Sequence, residues 1–168
     1  IRAIEKSIKD GTASPDAQSR IEKLKSEKTQ FMLVEYQKRV EEHPTDLNFR
    51  FILGGLFFES GDYDRSISGF QQSRRDPQYR AQSLTMLGRA FLKQGINDLA
   101  LKQFQEGLKG IEVMDDRRKE LLYYLGETHI AMGNQQDALT AYSEIFEVDI
   151  RFKDVADKIK ELRAALKK

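Results

Sequence analysis

The chain has 168 residues, enough for one compact domain or one short solenoid. Its 28 basic and 27 acidic residues leave a net charge of +1, which offers no global field for nucleic acid or an anionic membrane. Without cysteine it makes no disulfide, thiolate metal site or cysteine nucleophile, and no apolar run approaches the roughly 20 residues that span a bilayer.

Ile1, Ile4 and Ile8 recur at helical spacing and form a short apolar stripe. The stretch from Gly11 to Pro15 stops that helix, and Ser14 or Asp16 is placed to cap the next. From about Pro15 to Glu42 nothing breaks a helix. Its first half carries Ile21 and Leu24 among lysines and glutamates and is expected to meet the first stripe. Its second half, with Phe31, Met32, Leu33, Val34, Tyr36 and Val40, is apolar on more than one side, so packing on two sides is expected. The chain opens inside an apparent helix and without methionine. We therefore expect a segment of a longer protein, its compartment open and the cytoplasm the first expectation.

His43-Pro44-Thr45-Asp46 is a turn, since proline cannot continue a helix, and Thr45 or Asp46 caps the next helix. Helices are expected at about 47–60, 63–75, 78–94, 97–111, 116–132 and 135–147. Val155, Ile159, Leu162 and Leu166 then mark a one-sided amphipathic helix with a polar back, as the end of an array needs.

One skeleton occurs three times: Leu53-Gly54, Gly61, Ser66, Phe70; Leu87-Gly88, Gly95, Ala100, Phe104; and Leu125-Gly126, Gly133, Ala138, Tyr142. The packing glycines at 54, 88 and 126 step by 34 and then 38 residues, the longer step placing four extra residues near Gly110 to Met114. Glycine inside a helix costs about 1 kcal/mol against alanine, so its recurrence at one phase implies close packing. In this combination the chain resembles the tetratricopeptide-repeat family. The resemblance implies an all-α, right-handed superhelical solenoid of antiparallel helix pairs. Residues 1–46 are then an N-terminal helical hairpin or degenerate repeat, 47–77, 78–115 and 116–149 three repeats, and 150–168 a C-terminal capping helix. Departures from the family pattern are Arg50, Leu84 and Leu122 at its tryptophan position, Ser66 and Ser73 for alanine, and His129 for tyrosine. The segment from Glu144 to Val155 resembles the end of many bacterial members.

No convergent catalytic set occurs. His43 and His129 have no second ligand at helical spacing, and Asp115-Asp116 suits a helix start, so no metal, cofactor or enzymatic activity is expected. The resemblance implies a non-enzymatic scaffold that binds a protein or peptide along a concave face lined by the first helix of each repeat. By family position that groove holds Asn48, Phe51 and Phe58 with Gly55 and Glu59; Gln82, Thr85, Arg89 and Leu92 with Lys93; and Tyr123 and Glu127 with Glu120, Ile130 and Ala131. Phe51, Phe58, Leu92 and Tyr123 are not needed for packing inside a repeat, and Arg89 is the central charge for a carboxylate or carbonyl. The chaperone-binding carboxylate clamp is absent, because Phe51 and Gly55 occupy its first-repeat positions. A helix or an extended apolar segment is the expected occupant. Self-assembly, or packing within a larger protein, is the alternative, motivated by the Ile1, Ile4, Ile8 stripe. RNA binding is weaker, since such repeats are usually basic. Arg74, Arg75 and Arg80, and Arg117-Arg118-Lys119, are read as solvated faces, with no nucleic acid expected.

Overall fold

The computed structural model of the chain describes residues 1–11, 14 and 16–167. Among them run nine α-helices and no strand: α1 (Arg2–Lys9), α2 (Ala17–Glu42), α3 (Leu47–Glu59), α4 (Tyr63–Ser73), α5 (Arg80–Lys93), α6 (Asn97–Lys109), α7 (Asp116–Ala131), α8 (Gln135–Val148) and α9 (Val155–Ala165). Aspartates cap α3, α4 and α7, as short side chains at helix starts should. Asp46 accepts from the amides of Asn48 and Phe49 at 2.8 and 3.4 Å, Asp62 from Arg65 at 3.1 Å, and Asp115 from Arg118 at 3.0 Å. Ser14 does not cap α2; it donates to Asp16 at 2.6 Å. Pro15, the expected first residue of that helix, lies outside the described residues, as do Thr12 and Ala13.

The recurring glycines divide into two physical kinds. Gly61, Gly95 and Gly133 have φ of 82°, 74° and 80°, the left-handed region, and end α3, α5 and α7 so that the chain doubles back. Gly54, Gly88 and Gly126 are buried within helices, facing the rings of Phe70, Phe104 and Tyr142, each fully or almost fully buried. A β-carbon on Gly88 would stand 2.4 Å from the Phe104 ring and one on Gly126 2.6 Å from that of Tyr142, whereas at Gly54 the nearest ring atom is 3.2 Å away.

Each helix packs on the next, and α5 also touches both α3 and α7. The second helices α4, α6 and α8 are joined less closely to one another. Closer spacing among first helices curves the array, so α3, α5 and α7 line its concave side. One core joins repeats one and two to α7 through Phe70, Leu84, Leu87, Phe91, Phe104 and Leu121. Another joins repeat three to α9 through Leu122, Tyr142, Ile145, Val155, Ile159 and Leu162. Between α4 and α5 the buried hydroxyls of Ser73 and Ser83 lie 2.8 Å apart, a matched polar pair in an apolar seam. Ser66, by contrast, buries a hydroxyl with no hydrogen-bond partner among the described residues. The extra residues after α6 widen the turn and do not lengthen the helix. Ile111 is buried there, and Arg118 donates to the carbonyls of Ile111 and Leu108 at 2.6 and 3.4 Å.

One sequence expectation changes. The second half of α2 packs on one side only. Leu33 is buried with Leu56 and Phe57, but Phe31 and Val34 are 74% and 70% exposed on the far side. Arg50, at the family's tryptophan position, makes no core. It reaches back to the Pro44 carbonyl with Nε and Nη2, at 3.1 and 2.8 Å, and ties the entry turn to α3.

Candidate functional site

Two clefts open on the first helices. The smaller, of about 310 Å³, lies among α3, α5 and α7 and is lined by Phe51, Ala81, Gln82, Thr85, Met86, Arg89, Asp116, Arg117 and Glu120. The larger, about 830 Å³, lies between α2 and α3. Met32, Ile52 and Leu56 border it with Gly55, and Thr29, Lys25 and Glu59 contribute polar atoms. Nothing lies within 4 Å of where a β-carbon on Gly55 would sit, so that glycine keeps the cleft open.

Phe51, Gln82, Thr85 and Arg89 thus share one cleft, and Gly55 and Glu59 line the other. They do not all offer free groups. Thr85 is only 6% exposed and its hydroxyl donates to the Ala81 carbonyl at 3.0 Å. Phe51 stacks on Tyr79 at 5.2 Å and meets Phe70 edge-on at 5.6 Å, so it packs within and beyond its own repeat. Phe58 and Leu92 are half-buried against the same core, and Asn48 borders neither cleft.

Repeat three departs furthest from expectation. Tyr123 donates to Asp154 at 2.8 Å and packs against Phe152, both brought in by the chain leading into α9. Burial, and then that hydrogen bond, push its phenol well above the usual tyrosine range. Glu127 accepts from Tyr142 and pairs with Lys158 of α9 at 2.8 Å. The end of the array holds these two residues through its cap. His129, standing for a tyrosine, buries a Nδ1 that makes no hydrogen bond among the described residues, with Asp137 3.9 Å away.

Arg89 stands apart. Its guanidinium lies 5.0 Å from the ring centre of Phe58 and 4.8 Å from that of Tyr124, so it bridges repeats one and three across α5. Among the described residues its one hydrogen-bond contact is to the Met86 sulfur at 3.2 Å. Three cations of the other basic clusters are ion-paired: Arg80 with Glu106 at 2.7 Å, Arg117 with Asp115 at 2.6 Å, and Lys119 with Asp116 and Asp149 at 2.7 and 2.8 Å. Ile52, Met86 and Tyr124 border the clefts or Arg89 and were not anticipated. All three stand two residues before a packing glycine, so the repeat phase itself carried the signal.

No group of three or more metal-ligating side chains occurs among the described residues. No helix there is long and apolar enough to cross a membrane. Residues 120–147 match the family model described as tetratricopeptide repeat. No curated protein matches the chain in sequence. Its fold is similar to that of MamA, with 17% identity over 86% of this chain and 82% of that one and a TM-score of 0.74. It is also similar to PilF of Pseudomonas aeruginosa, at 15% identity, 89% and 67% coverage and a TM-score of 0.74. The first tetratricopeptide domain of Spaghetti (RPAP3), bound to the HSP90 peptide SRMEEVD, is similar at 14% identity, 73% and 96% coverage and a TM-score of 0.64. The chain is a solenoid of tetratricopeptide-repeat helix pairs, with the family's sequence pattern matched in its third repeat.

Proposed function

We propose that the chain is a binding scaffold that holds a protein segment, a helix or an extended apolar stretch, along the concave side of α3, α5 and α7. The observation that carries this reading is the cleft among α3, α5 and α7, lined by Phe51, Met86, Gln82 and Arg89, together with the cleft between α2 and α3, lined by Ile52, Leu56 and Glu59. Mostly apolar concavities with a few placed polar groups are the usual form of a binding site. A structural neighbour of the same fold is bound to a peptide, which is consistent with this use.

Gly55→Leu tests it. Its β-carbon would meet nothing within 4 Å, the rest of the side chain would extend toward the cleft, and the change removes a glycine from a helix, so stability is expected to hold or rise by about 1 kcal/mol. Partner capture is expected to fall at least tenfold; undiminished capture by the folded variant rejects the cleft between α2 and α3 as a seat for the partner. A second reading, association of this chain with itself or with another part of a larger protein, is supported by Phe31 and Val34 on the uncovered side of α2. Light scattering over a range of concentrations decides it, because a strict monomer removes the first half of that reading.

A further inference from the structure

The outer side of α2 carries a stripe with an ordered pattern of charge. Lys23, Glu27, Phe31, Val34, Lys38 and Glu42 follow one another at spacings of four, four, three, four and four residues. At 3.6 residues per turn all six fall within about 100° of the helix circumference. Met32, Leu33 and Tyr36, which pack toward Leu56 and Phe57 of α3, face away from it. Phe31 and Val34 stand exposed at the middle of the stripe. The ion pairs that flank them, Lys23 with Glu27 at 3.9 Å and Lys38 with Glu42 at 3.7 Å, are exposed as well.

Inverted end for end, the stripe keeps its spacing and its apolar centre but exchanges every charge for its opposite. A second α2 laid antiparallel on the first therefore meets it with Phe31 on Val34, Glu27 on Lys38 and Lys23 on Glu42. Each contact is made twice about a two-fold axis, as a self-complementary patch requires. In the same register Gln30 meets Glu35 and Leu24 meets Glu41, so no like charges are opposed. A parallel pair would instead set every charge of the stripe against its own copy. We infer that this face of α2 binds a second copy of the chain as an antiparallel helix pair. Phe31 and Val34 supply the affinity and the four charges the orientation, because exposed ion pairs add little strength but penalise the wrong register. One helix pair is at the small end of specific interfaces, so dissociation is expected on the order of 10–100 µM. The inference rests on the self-association reading above and is independent of what the clefts hold.

Analytical ultracentrifugation of the natural chain over roughly 5–500 µM, which brackets that constant, is expected to show a monomer–dimer equilibrium. Phe31→Gln with Val34→Gln should weaken the dimer about tenfold. Glu27→Lys places a lysine opposite Lys38 of the second copy, and Lys38→Glu a glutamate opposite Glu27, so each alone should weaken it about threefold. An equal mixture of these two variants regains opposite charges at both contacts and should associate as the natural chain does. Mixing leaves the pairs within each helix unchanged, so the recovery reads only the contact between copies. Circular dichroism should show undiminished helix content in every variant; if the glutamine variant loses helix, the charge variants and their mixture decide alone. A dimer untouched by F31Q/V34Q refutes this face and leaves self-association standing. A dimer weakened by F31Q/V34Q but indifferent to the charge variants and their mixture refutes the antiparallel register. A strict monomer at the highest concentration refutes self-association and this face together.

Discussion

Alanine at Gly88 and at Gly54 should have opposite consequences, although both glycines occupy the same repeat position. At Gly88 the new methyl would stand 2.4, 2.5 and 2.8 Å from three atoms of the Phe104 ring. Reaching an ordinary contact needs a retreat of roughly 1 Å. Phe104 is fully buried and its ring stacks on Tyr124 at 5.9 Å, so the retreat spreads into repeat three. Overpacking of this kind costs about 1–3 kcal/mol, against a gain of about 1 kcal/mol in helix propensity. At Gly54 the nearest ring atom is 3.2 Å away, and a shift of a few tenths of an ångström suffices. Gly54→Ala is then expected to be neutral or stabilising, and Gly88→Ala less stable than it by about 2 kcal/mol. For a chain of this size that is roughly 4–8 °C in melting temperature. Thermal unfolding followed by far-ultraviolet circular dichroism and by calorimetry reads the difference. Adding Phe104→Leu to Gly88→Ala should recover part of the loss, because the smaller side chain vacates the methyl's place. A Gly88→Ala chain as stable as Gly54→Ala would show that ring contact does not set the helix spacing in repeat two.

The serines that replace alanine in repeat one should also part company. Ser66→Ala removes a buried hydroxyl without a partner and is expected to stabilise by about 1 kcal/mol, whereas Ser73→Ala strands the Ser83 hydroxyl and costs about as much. Joint replacement of Ser73 and Ser83 by alanine should recover most of that cost in chemical denaturation, and additive losses would contradict a coupled pair. The Lys119 hydrogen bond, and then the Arg151 amide, hold the Asp149 carboxyl below its usual range. A depressed carboxyl contributes stability above the ordinary aspartate value of about 3.9, and that contribution fades as pH falls through the lower folded value. Asp149→Asn should therefore be less stable than the natural chain at neutral pH, with the gap closing as pH drops below about 4. A gap that persists at pH 2 would assign the loss to something other than this ionisation.

The repeats were legible in the sequence because their physics is local. A glycine facing an aromatic sixteen residues later, and a second glycine ending the helix, recur with the helical phase, and the structure has both at each repeat. Asp46 and Asp115 were readable as caps for the same reason. The residues that share the cleft among α3, α5 and α7 were legible where one first helix meets another, as at Phe51, Gln82 and Arg89. They were not legible at the array's end. Tyr123 and Glu127 hold the right phase for a groove, yet Asp154 and Lys158 reach them from about thirty residues downstream, where no repeat fixes the register. The apolar second side of α2 was visible in the sequence; among the described residues no helix covers it.

Amide hydrogen exchange with and without a peptide selected on the chain tests the concave-face claim most directly. Bound peptide should slow exchange in α3, α5 and α7 and leave α4, α6 and α8 unchanged, with the effect abolished in Gly55→Leu. Protection confined to the second helices, or to the outer side of α2 around Phe31 and Val34, would contradict it.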